Sequence, residues 1–404
     1  MLSKHILFPT FVFASAFFFL NQAVAESPVS FSNESHVQGV SDKEVIIGMS
    51  NALSGPAQDL GTNLKLGAEI YFDKVNKAGG VHGRQIKLIS YDDGYEPVRT
   101  ITNTKKLLED DVFALFGYVG TPTSKVAVPI AVRADIPYLF PFTGAEFLRK
   151  PVTKNVFNLR ASYFNETAFL VNHLVHDRNV KRVALFIQDD GYGAAGRAGV
   201  QRALENYGQE VVAVGKYTRN TVDIDKAYAK VWDANPDAVI MVGAYQPCAE
   251  FVKKSKREGK QAAILNISFV GTNSFIKEAG PAGEGSYISQ VVPHPISSNL
   301  DVVRTYRNDF VNTGHAESIN FGTLEGYLNA ITFVKALEEA GKKLSRKKFI
   351  ETMESLKFNE GGLPISFTPE QHQGLKRVYL TKIVNGKAVE IEHVSPNGLK
   401  TFGH

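Results

Sequence analysis

The chain has 404 residues, and its 45 Lys and Arg against 41 Asp and Glu give a formal net charge of +4. This near-balance provides no strongly basic surface for nucleic acid or an anionic membrane, so we expect no nucleic-acid partner. The one cysteine, Cys248, cannot form an internal disulfide, and a chain of this length is expected to divide into two domains.

The first 25 residues have the pattern of a secretory signal peptide. A single cation, Lys4, precedes an apolar run over Phe11–Leu20, and Ala23-Val24-Ala25 forms a small-x-small cleavage pattern. The run is about half the length that spans a bilayer, so a transmembrane anchor is the weaker alternative. No cysteine follows Ala25, which argues against a lipid anchor. We therefore predict export to the periplasm as a soluble protein, with residues 26–42 as a flexible leader.

From residue 43 onwards, short apolar strands alternate with amphipathic helices, which predicts parallel α/β layers. A first unit has predicted strands at 45–50, 86–91, 112–117 and 136–140, and helices that begin at Thr62, Pro97 and Pro122. A second unit has predicted strands at 183–188, 210–217, 237–243 and 264–270, with helices near 166–177, 195–207, 223–234 and 247–258. Two further helices follow, and residues 367–391 are predicted to form strands joined by an Asn385-Gly386 turn. The fold class is therefore α/β, with two doubly wound, Rossmann-like lobes and a cleft at the carboxyl ends of their strands.

The loop Gly117–Ser124 lies at the carboxyl end of the third predicted strand and opens a helix. Exposed N–H groups at a helix start, together with the Thr121 hydroxyl, suit a carboxylate or another hydrogen-bond acceptor. The alternative is ordinary capping by Thr121, with Pro122 at the first helical position.

The loop Phe140–Glu146 follows the next predicted strand in the same manner. Its Thr143 and Gly144 are expected beside Thr121, because neighbouring parallel strands end at the same edge of a sheet. Phe142 is expected to pack on an apolar or aromatic ligand.

Four segments carry a family resemblance: SDKEVIIGMSNALSGP, NKAGGVHGRQIKLISYDD, GTPTS and FPFTGAE. Together they resemble the leucine/isoleucine/valine-binding type of periplasmic solute-binding protein, which has the type I periplasmic binding fold, from about Ser41 to the end of the chain. The resemblance implies the substrate-binding component of an ABC importer. It also implies a monomer that captures a small-molecule ligand by hinge closure and presents it to an inner-membrane permease. The lobes would comprise 43–160 plus 293–362 and 161–292 plus 363–404, joined by three crossings.

The resemblance also implies which residues contact the ligand. Thr121 falls on the Ser or Thr that grips a ligand carboxylate, and residues 142–144 fall on a loop that supplies backbone and hydroxyl contacts. Tyr192 and Tyr245 match aromatic positions that close over the ligand. Asn273 stands where branched-amino-acid binders carry a glutamate for the ligand ammonium, and a neutral amide does not offset a desolvated ammonium. Both an α-amino acid and another carboxylate-bearing compound therefore stay open as ligands.

Further candidates lie near the predicted first crossing and after the second strand. Tyr163 is expected to face the cleft, whereas Arg160 either pairs with a ligand carboxylate, braces the hinge or has a purely structural role. Tyr95 and Glu96 are further cleft candidates. The resemblance also implies that relatives carry a disulfide between the positions of Tyr95 and Gly120. Both of its cysteines are replaced in this chain.

The sequence carries no convincing motif for catalysis or cofactor binding. The segment Gly191–Gly196 matches GxGxxG, but Asp189 and Asp190 would place negative charges beside a pyrophosphate, and no acidic residue ends the next strand. No GxSxG elbow, HExxH or P-loop is present. We therefore predict no cofactor, no metal, no catalytic residue and no enzymatic activity. The alternative function is a periplasmic ligand sensor of the same fold that signals to a membrane protein.

Overall fold

The computed structural model describes residues 37–391, which form an α/β protein built on two large sheets. The predicted signal peptide (1–25), the leader as far as residue 36 and the final residues 392–404 lie outside the described residues. Residues 37–42 of the predicted leader are anchored, since Val40 bridges to Val45 and the Gly39 N–H donates to the Asp111 carboxylate at 3.3 Å. No helix within 37–391 is long and apolar enough to cross a membrane.

The first sheet has five parallel strands in the order β2-β1-β3-β4-β5. They are β1 (Glu44–Asn51), β2 (Gln85–Asp92), β3 (Ala114–Phe116), β4 (Tyr138–Leu139) and β5 (Val156–Phe157). The register places Ile47 of β1 between Leu88 of β2 and Ala114 of β3. Parallel strands covered by helices on both faces need apolar side chains throughout, which explains why their sequence appears as continuous apolar runs.

Helices cover the two faces of this sheet with separate cores. On one face, α1 (Gln58–Lys77) and α10 (Phe321–Ala340) enclose Phe116, which packs against Phe72 and Phe333 with ring centroids 5.6 and 6.1 Å away. On the other face, α2 (Pro97–Glu109) and α3 (Thr121–Arg133) pack over Leu115 and Tyr138. The helices α9 (Asp301–Asn312) and α11 (Arg346–Met353) add to the first of these cores.

The second sheet has seven strands in the order β14-β13-β10-β9-β8-β6-β7. Five are parallel: β6 (Val183–Gln188), β7 (Val211–Tyr217), β8 (Ala238–Val242), β9 (Ala263–Asn266) and β10 (Tyr287–Gln290). The antiparallel pair β13 (Tyr379–Val384) and β14 (Lys387–Glu390) extends the edge, and its Asn385-Gly386 turn has φ of 51° and 70°, as the sequence predicted. The helices are α4 (Tyr163–Asn172), α5 (Gly191–Glu205), α6 (Asp225–Asp233), α7 (Tyr245–Arg257) and α8 (Thr272–Ala279).

Within residues 37–391 the chain passes between the two sheets three times. It leaves the first sheet after β5, returns after β10, and leaves again after the hairpin of β11 (Lys357–Glu360) and β12 (Leu363–Ser366). Phe367 and Leu375 still pack in the core of the first sheet. The lobe boundary at 363 stays a prediction, and this packing favours a later crossing, between Leu375 and Tyr379.

Several predicted elements have different bounds in the structure, and two of the differences have a clear local cause. Helix α1 begins at Gln58 and not at Thr62, whose hydroxyl donates to the Gln58 carbonyl at 2.9 Å from within the helix. The strand predicted over 264–270 ends at Asn266, and residues Ser268–Val270 form a 3₁₀ turn before Gly271, which has a φ of 76°. This turn moves Phe269 out of the sheet.

Candidate functional site

The carboxyl ends of the strands in the two sheets face each other across a buried layer of side chains. Tyr95, on the loop after β2, accepts a hydrogen bond from the Gln188 amide at the end of β6, at 3.2 Å. Asp59, in the first turn of α1, accepts from the Ser274 hydroxyl in the first turn of α8, at 2.7 Å. The carboxyl edges of the two sheets are therefore in direct contact.

Three hydroxyl groups form a continuous row, which we name the hydroxyl row: Thr121, Thr143 and Tyr163. The Thr121 and Thr143 Oγ1 atoms are 2.7 Å apart, and the Thr143 hydroxyl donates to the Tyr163 phenol oxygen at 3.2 Å. All three side chains are fully buried. Burial raises the pKa of Tyr163 to about 12, so its phenol keeps its proton and stays a donor.

Thr121 is the first residue of α3 and does not cap it. The capping position belongs to Gly120, whose φ of 103° is a conformation that glycine adopts without strain. The alternative in which Thr121 merely caps the helix is therefore wrong. Its hydroxyl is turned toward the next loop of the same sheet, which places Thr143 beside it as the sequence predicted.

Two glycines leave room for aromatic rings at this site. A Cβ on Gly144 would lie 2.5 Å from Tyr163 Cδ1, and a Cβ on Gly120 would lie 2.1 Å from Tyr95 Cε2. Tyr95 and Gly120 are thus neighbours in space. Here the tyrosine ring occupies the place for which the resemblance implied a disulfide in relatives.

Five rings from both sheets pack together, and we name them the aromatic cluster: Tyr95, Phe142, Tyr163, Tyr192 and Phe269. The centroid of Phe269 lies 5.9 Å from Tyr95, 5.6 Å from Phe142 and 4.4 Å from Tyr192, while Tyr163 and Tyr192 are 5.5 Å apart. Each ring is at most 3% exposed. The structure therefore unites four predicted residues around Phe269, which the sequence analysis missed because it assigned 264–270 to a strand.

Tyr245 and Asn273 lie to one side of the aromatic cluster, toward α1. The Tyr245 phenol oxygen is 3.5 Å from the Asp59 N–H, and burial raises the pKa of Tyr245 to about 12. Asn273 is exposed, in the first turn of α8. Ser268, in the turn before α8, is buried, and its hydroxyl accepts a hydrogen bond from Arg160 Nη2 at 2.8 Å.

Charged side chains are buried where the chain first leaves the first sheet, and we name them the buried charge cluster: Arg149, Arg160, Glu166 and Glu325. The Arg160 Nε and Glu325 Oε1 atoms are 3.0 Å apart, with 1% and 4% of the side chains exposed. Glu166 accepts hydrogen bonds from the Ser289 hydroxyl at 2.6 Å and the Ser268 N–H at 2.8 Å. The Arg160 guanidinium also lies 4.2 Å above the Phe142 ring centroid.

Burial sets the protonation of this cluster. It raises the pKa of Glu325 to about 7, against the attraction of Arg160, and it also raises the pKa of Glu166. Arg160 braces the crossing against α10 through Glu325, which is one of the roles that its sequence position allowed. Within residues 37–391, no group of three or more His, Cys, Asp or Glu side chains is placed to hold a metal ion.

A small cavity of about 20 Å³, room for about one water molecule, adjoins the buried charge cluster. Its walls come from the first two turns of α1, α8 and α10, from the crossings between the sheets, and from the loops that carry Phe142 and Ser268. Its lining residues include Asp59, Phe142, Arg160, Asn273, Ser274 and Glu325.

A polar bridge joins the loops of the two sheets beside Tyr95, and we name it the Arg219 bridge. Arg219, after β7, pairs with Glu96 at 2.7 Å and with Asp190 at 3.2 Å. Its neighbour Asn220 donates to the same Glu96 at 2.6 Å. Glu96 was a predicted cleft candidate, but Arg219 and Asn220 were not predicted, because nothing local marks a loop arginine as a contact to the other sheet.

Comparisons with known proteins are consistent with one another. A profile of the family described as periplasmic binding protein matches residues 44–388. A leucine-, isoleucine-, valine-, threonine- and alanine-binding protein of Pseudomonas aeruginosa is 21% identical, over 73% of this chain and 78% of its own length. The crystal structure of a possible leucine/isoleucine/valine-binding protein from Rhodopirellula baltica is 33% identical with a TM-score of 0.82, over 89% of this chain and 98% of that one. An ABC transporter solute-binding protein of R. palustris, solved with benzoate, shares the fold at 19% identity and a TM-score of 0.77, over 86% and 95% of the two chains.

Proposed function

The chain belongs to the periplasmic binding protein family, as a type I member of the leucine/isoleucine/valine-binding type, and from that premise we propose that it is the substrate-binding component of an ABC importer. It captures an amino acid or another carboxylate-bearing compound between the carboxyl edges of its two sheets. It then presents the closed form to an inner-membrane permease. It works in the periplasm as a soluble monomer, after removal of residues 1–25, and without enzymatic activity.

The observation that supports this proposal most is the composition of the aromatic cluster. Tyr95 and Phe142 come from loops of the first sheet, whereas Tyr192 and Phe269 come from loops of the second. Walls contributed by both sheets are complete only when the sheets are together. A solute that contacts both walls therefore favours the closed arrangement through contacts that the open one lacks.

The hydroxyl row supplies the polar end of the proposed site. Thr121, Thr143 and Tyr163 donate hydrogen bonds to an acceptor on the solute, exchanging them for the bonds that they make with each other. Each such bond contributes about 1 kcal/mol. Tyr245 closes the site from the second sheet, and Gly144 leaves space for the Tyr163 ring.

A thermal-shift screen of the purified protein against amino acids, aromatic acids, short dicarboxylates and amides tests the proposal. A true ligand at a hundred times its Kd should stabilise the protein by about 2.7 kcal/mol. Thr121→Ala and Tyr245→Ala should each weaken binding of that ligand by at least ~1 kcal/mol. The control Thr121→Ser keeps the hydroxyl and should bind nearly as the wild type does.

Unchanged affinity in both alanine variants would overturn the assignment of the site. Transport is tested separately, by uptake of the radiolabelled ligand in cells with and without the gene. Equal uptake by the two strains would contradict the importer role and leave a sensing role in its place. Turnover of the bound compound would contradict the absence of enzymatic activity.

A further inference from the structure

We propose that the cavity beside Arg160 receives the acidic group of the solute, so that the transported compound is a carboxylate that lacks an ammonium group. This inference rests on the proposed function and specifies the class of ligand within it. The charge of the ligand is then held by the guanidinium at the crossing between the sheets, and the hydroxyl row supplies uncharged hydrogen bonds.

Three helices begin at this cavity. Asp59 stands in the first turn of α1, Asn273 and Ser274 in that of α8, and Glu325 in the second turn of α10. The N-terminal end of a helix carries a partial positive charge. Three such ends around one small space favour negative charge there.

Arg160 provides an independent observation. Its side chain is 1% exposed and lines the cavity, and its Nη1 atom has no hydrogen-bond partner among residues 37–391. A buried guanidinium nitrogen without a partner is costly, and a carboxylate oxygen is the partner that its charge and planar shape suit best. Its position 4.2 Å above the Phe142 ring would place the acidic group next to an apolar wall for the body of the solute.

The carboxylates around the cavity are already engaged by protein donors. Glu325 faces Arg160 with both oxygens, at 3.0 and 3.2 Å. Glu166 accepts from Ser268 and Ser289, and the Asp59 Oδ2 accepts from the Ser274 hydroxyl at 2.7 Å. An ammonium group would have to share these carboxylates with the donors that they already hold, and the exposed Asn273 carries no charge to offset it.

The formal charges of the buried charge cluster sum to zero before a ligand binds. Glu325 is the carboxylate in direct contact with Arg160, so it competes with an acidic ligand for the same guanidinium. Removal of that one negative charge should therefore strengthen the binding of an anion. A purely structural ion pair predicts the opposite, because its loss would only loosen the site.

The test uses matched compounds that differ in one group. Isocaproate, isocaproamide and leucine form one set, and hydrocinnamate, hydrocinnamamide and phenylalanine form a second, with benzoate and benzamide as an aromatic pair. Affinities are measured by calorimetry on the full-length mature protein. In at least one set the wild type should prefer the acid over both the amide and the amino acid by about tenfold or more.

The variants separate charge from folding. Arg160→Gln alone would leave Glu325 buried without its partner, so the informative variants are Glu325→Gln and the double variant Arg160→Gln/Glu325→Gln. Glu325→Gln should bind the acid more tightly than the wild type does. The double variant should lose the preference for the acid over the amide while it still binds the amide.

Three results would overturn the inference: a preference for the amino acid or the amide in the wild type, a double variant that keeps its preference for the acid, or weaker binding of the acid in Glu325→Gln. A failure of the proposed function is distinct from these. In that case no compound of any charge would bind the wild type, and the premise of the inference would fall with it.

Discussion

Replacing Glu325 with Gln should flatten the dependence of the unfolding free energy on pH. The Glu325 side chain is 4% exposed and lies among Arg160, Glu166 and Arg149, whose charges all act on it. Burial raises its pKa to about 7, because the cost of desolvating the carboxylate exceeds the attraction of Arg160. The glutamine keeps the shape and a hydrogen-bonding amide but cannot titrate.

The direction of this pH dependence follows from the pKa of Glu325 in the folded and in the unfolded chain. In the unfolded chain the carboxyl has its ordinary value of 4.5, and in the folded protein it titrates at about 7. Between these values the folded state binds a proton that the unfolded state lacks, so the stability falls as the pH rises through this window. The stability that protonated Glu325 contributes is fully present below pH 4.5 and is lost above about pH 7. The shift corresponds to about 3 kcal/mol at most.

Urea unfolding, followed by far-ultraviolet circular dichroism between about pH 5 and about pH 8, measures this effect. The unfolding free energy of the wild type should fall toward the upper end of the range more steeply than that of Glu325→Gln. Glu166, whose pKa is also raised by burial, is present in both proteins and largely cancels in the difference. The control is Glu339→Gln, the same substitution at an exposed position on α10, which should follow the wild type. Parallel curves for Glu325→Gln and the wild type would refute the reasoning.

Two further substitutions test the packing of the site, again by urea unfolding. Phe269→Ala should cost about 3–5 kcal/mol, because it empties the centre of the aromatic cluster, whereas Asn273→Ala on the exposed turn should stay within about 0.5 kcal/mol; comparable losses would contradict the central role of Phe269. Gly120→Ala should destabilise more than Gly79→Ala. The two glycines share a φ of 103°, but only at Gly120 would the Cβ meet a ring, at 2.1 Å from Tyr95 Cε2. Equal losses would leave backbone strain as the whole cause and refute the steric account.

The local features of the fold were predictable because they leave local patterns. Strands β1, β2, β6 and β8 were placed to within a residue or two, since parallel strands buried on both faces must be apolar along their length. The loops that carry Thr121 and Thr143 were expected together for a topological reason, because β3 and β4 are neighbours whose carboxyl ends lie at one edge. This contact, at 2.7 Å, is the part of the site that sequence reasoning placed best.

The parts that were missed depend on contacts between distant segments. Glu325 lies in a helix of mainly apolar residues, and its partner Arg160 is 165 positions away, so no spacing in the sequence indicates the pair. Phe269 belongs to the mainly apolar run ILNISFV (264–270), whose first three residues are strand and whose last three form a 3₁₀ turn, and periodicity does not locate such a break. Helix α8 was missed for a related reason, since its eight residues span little more than two turns.

The Arg219 bridge has a consequence for the empty protein. It links Glu96 and Asp190 across the two sheets through protein groups alone, and partly exposed pairs of this kind contribute about 1 kcal/mol or less each. Even that amount favours the closed form before any solute binds. The solute then needs to supply less binding free energy to complete the closure. The same contacts also allow the protein to close without a solute. In the proposed importer, a membrane partner that recognises the closed surface would meet unloaded copies as well as loaded ones, and the strength of this bridge would set how many unloaded copies it meets.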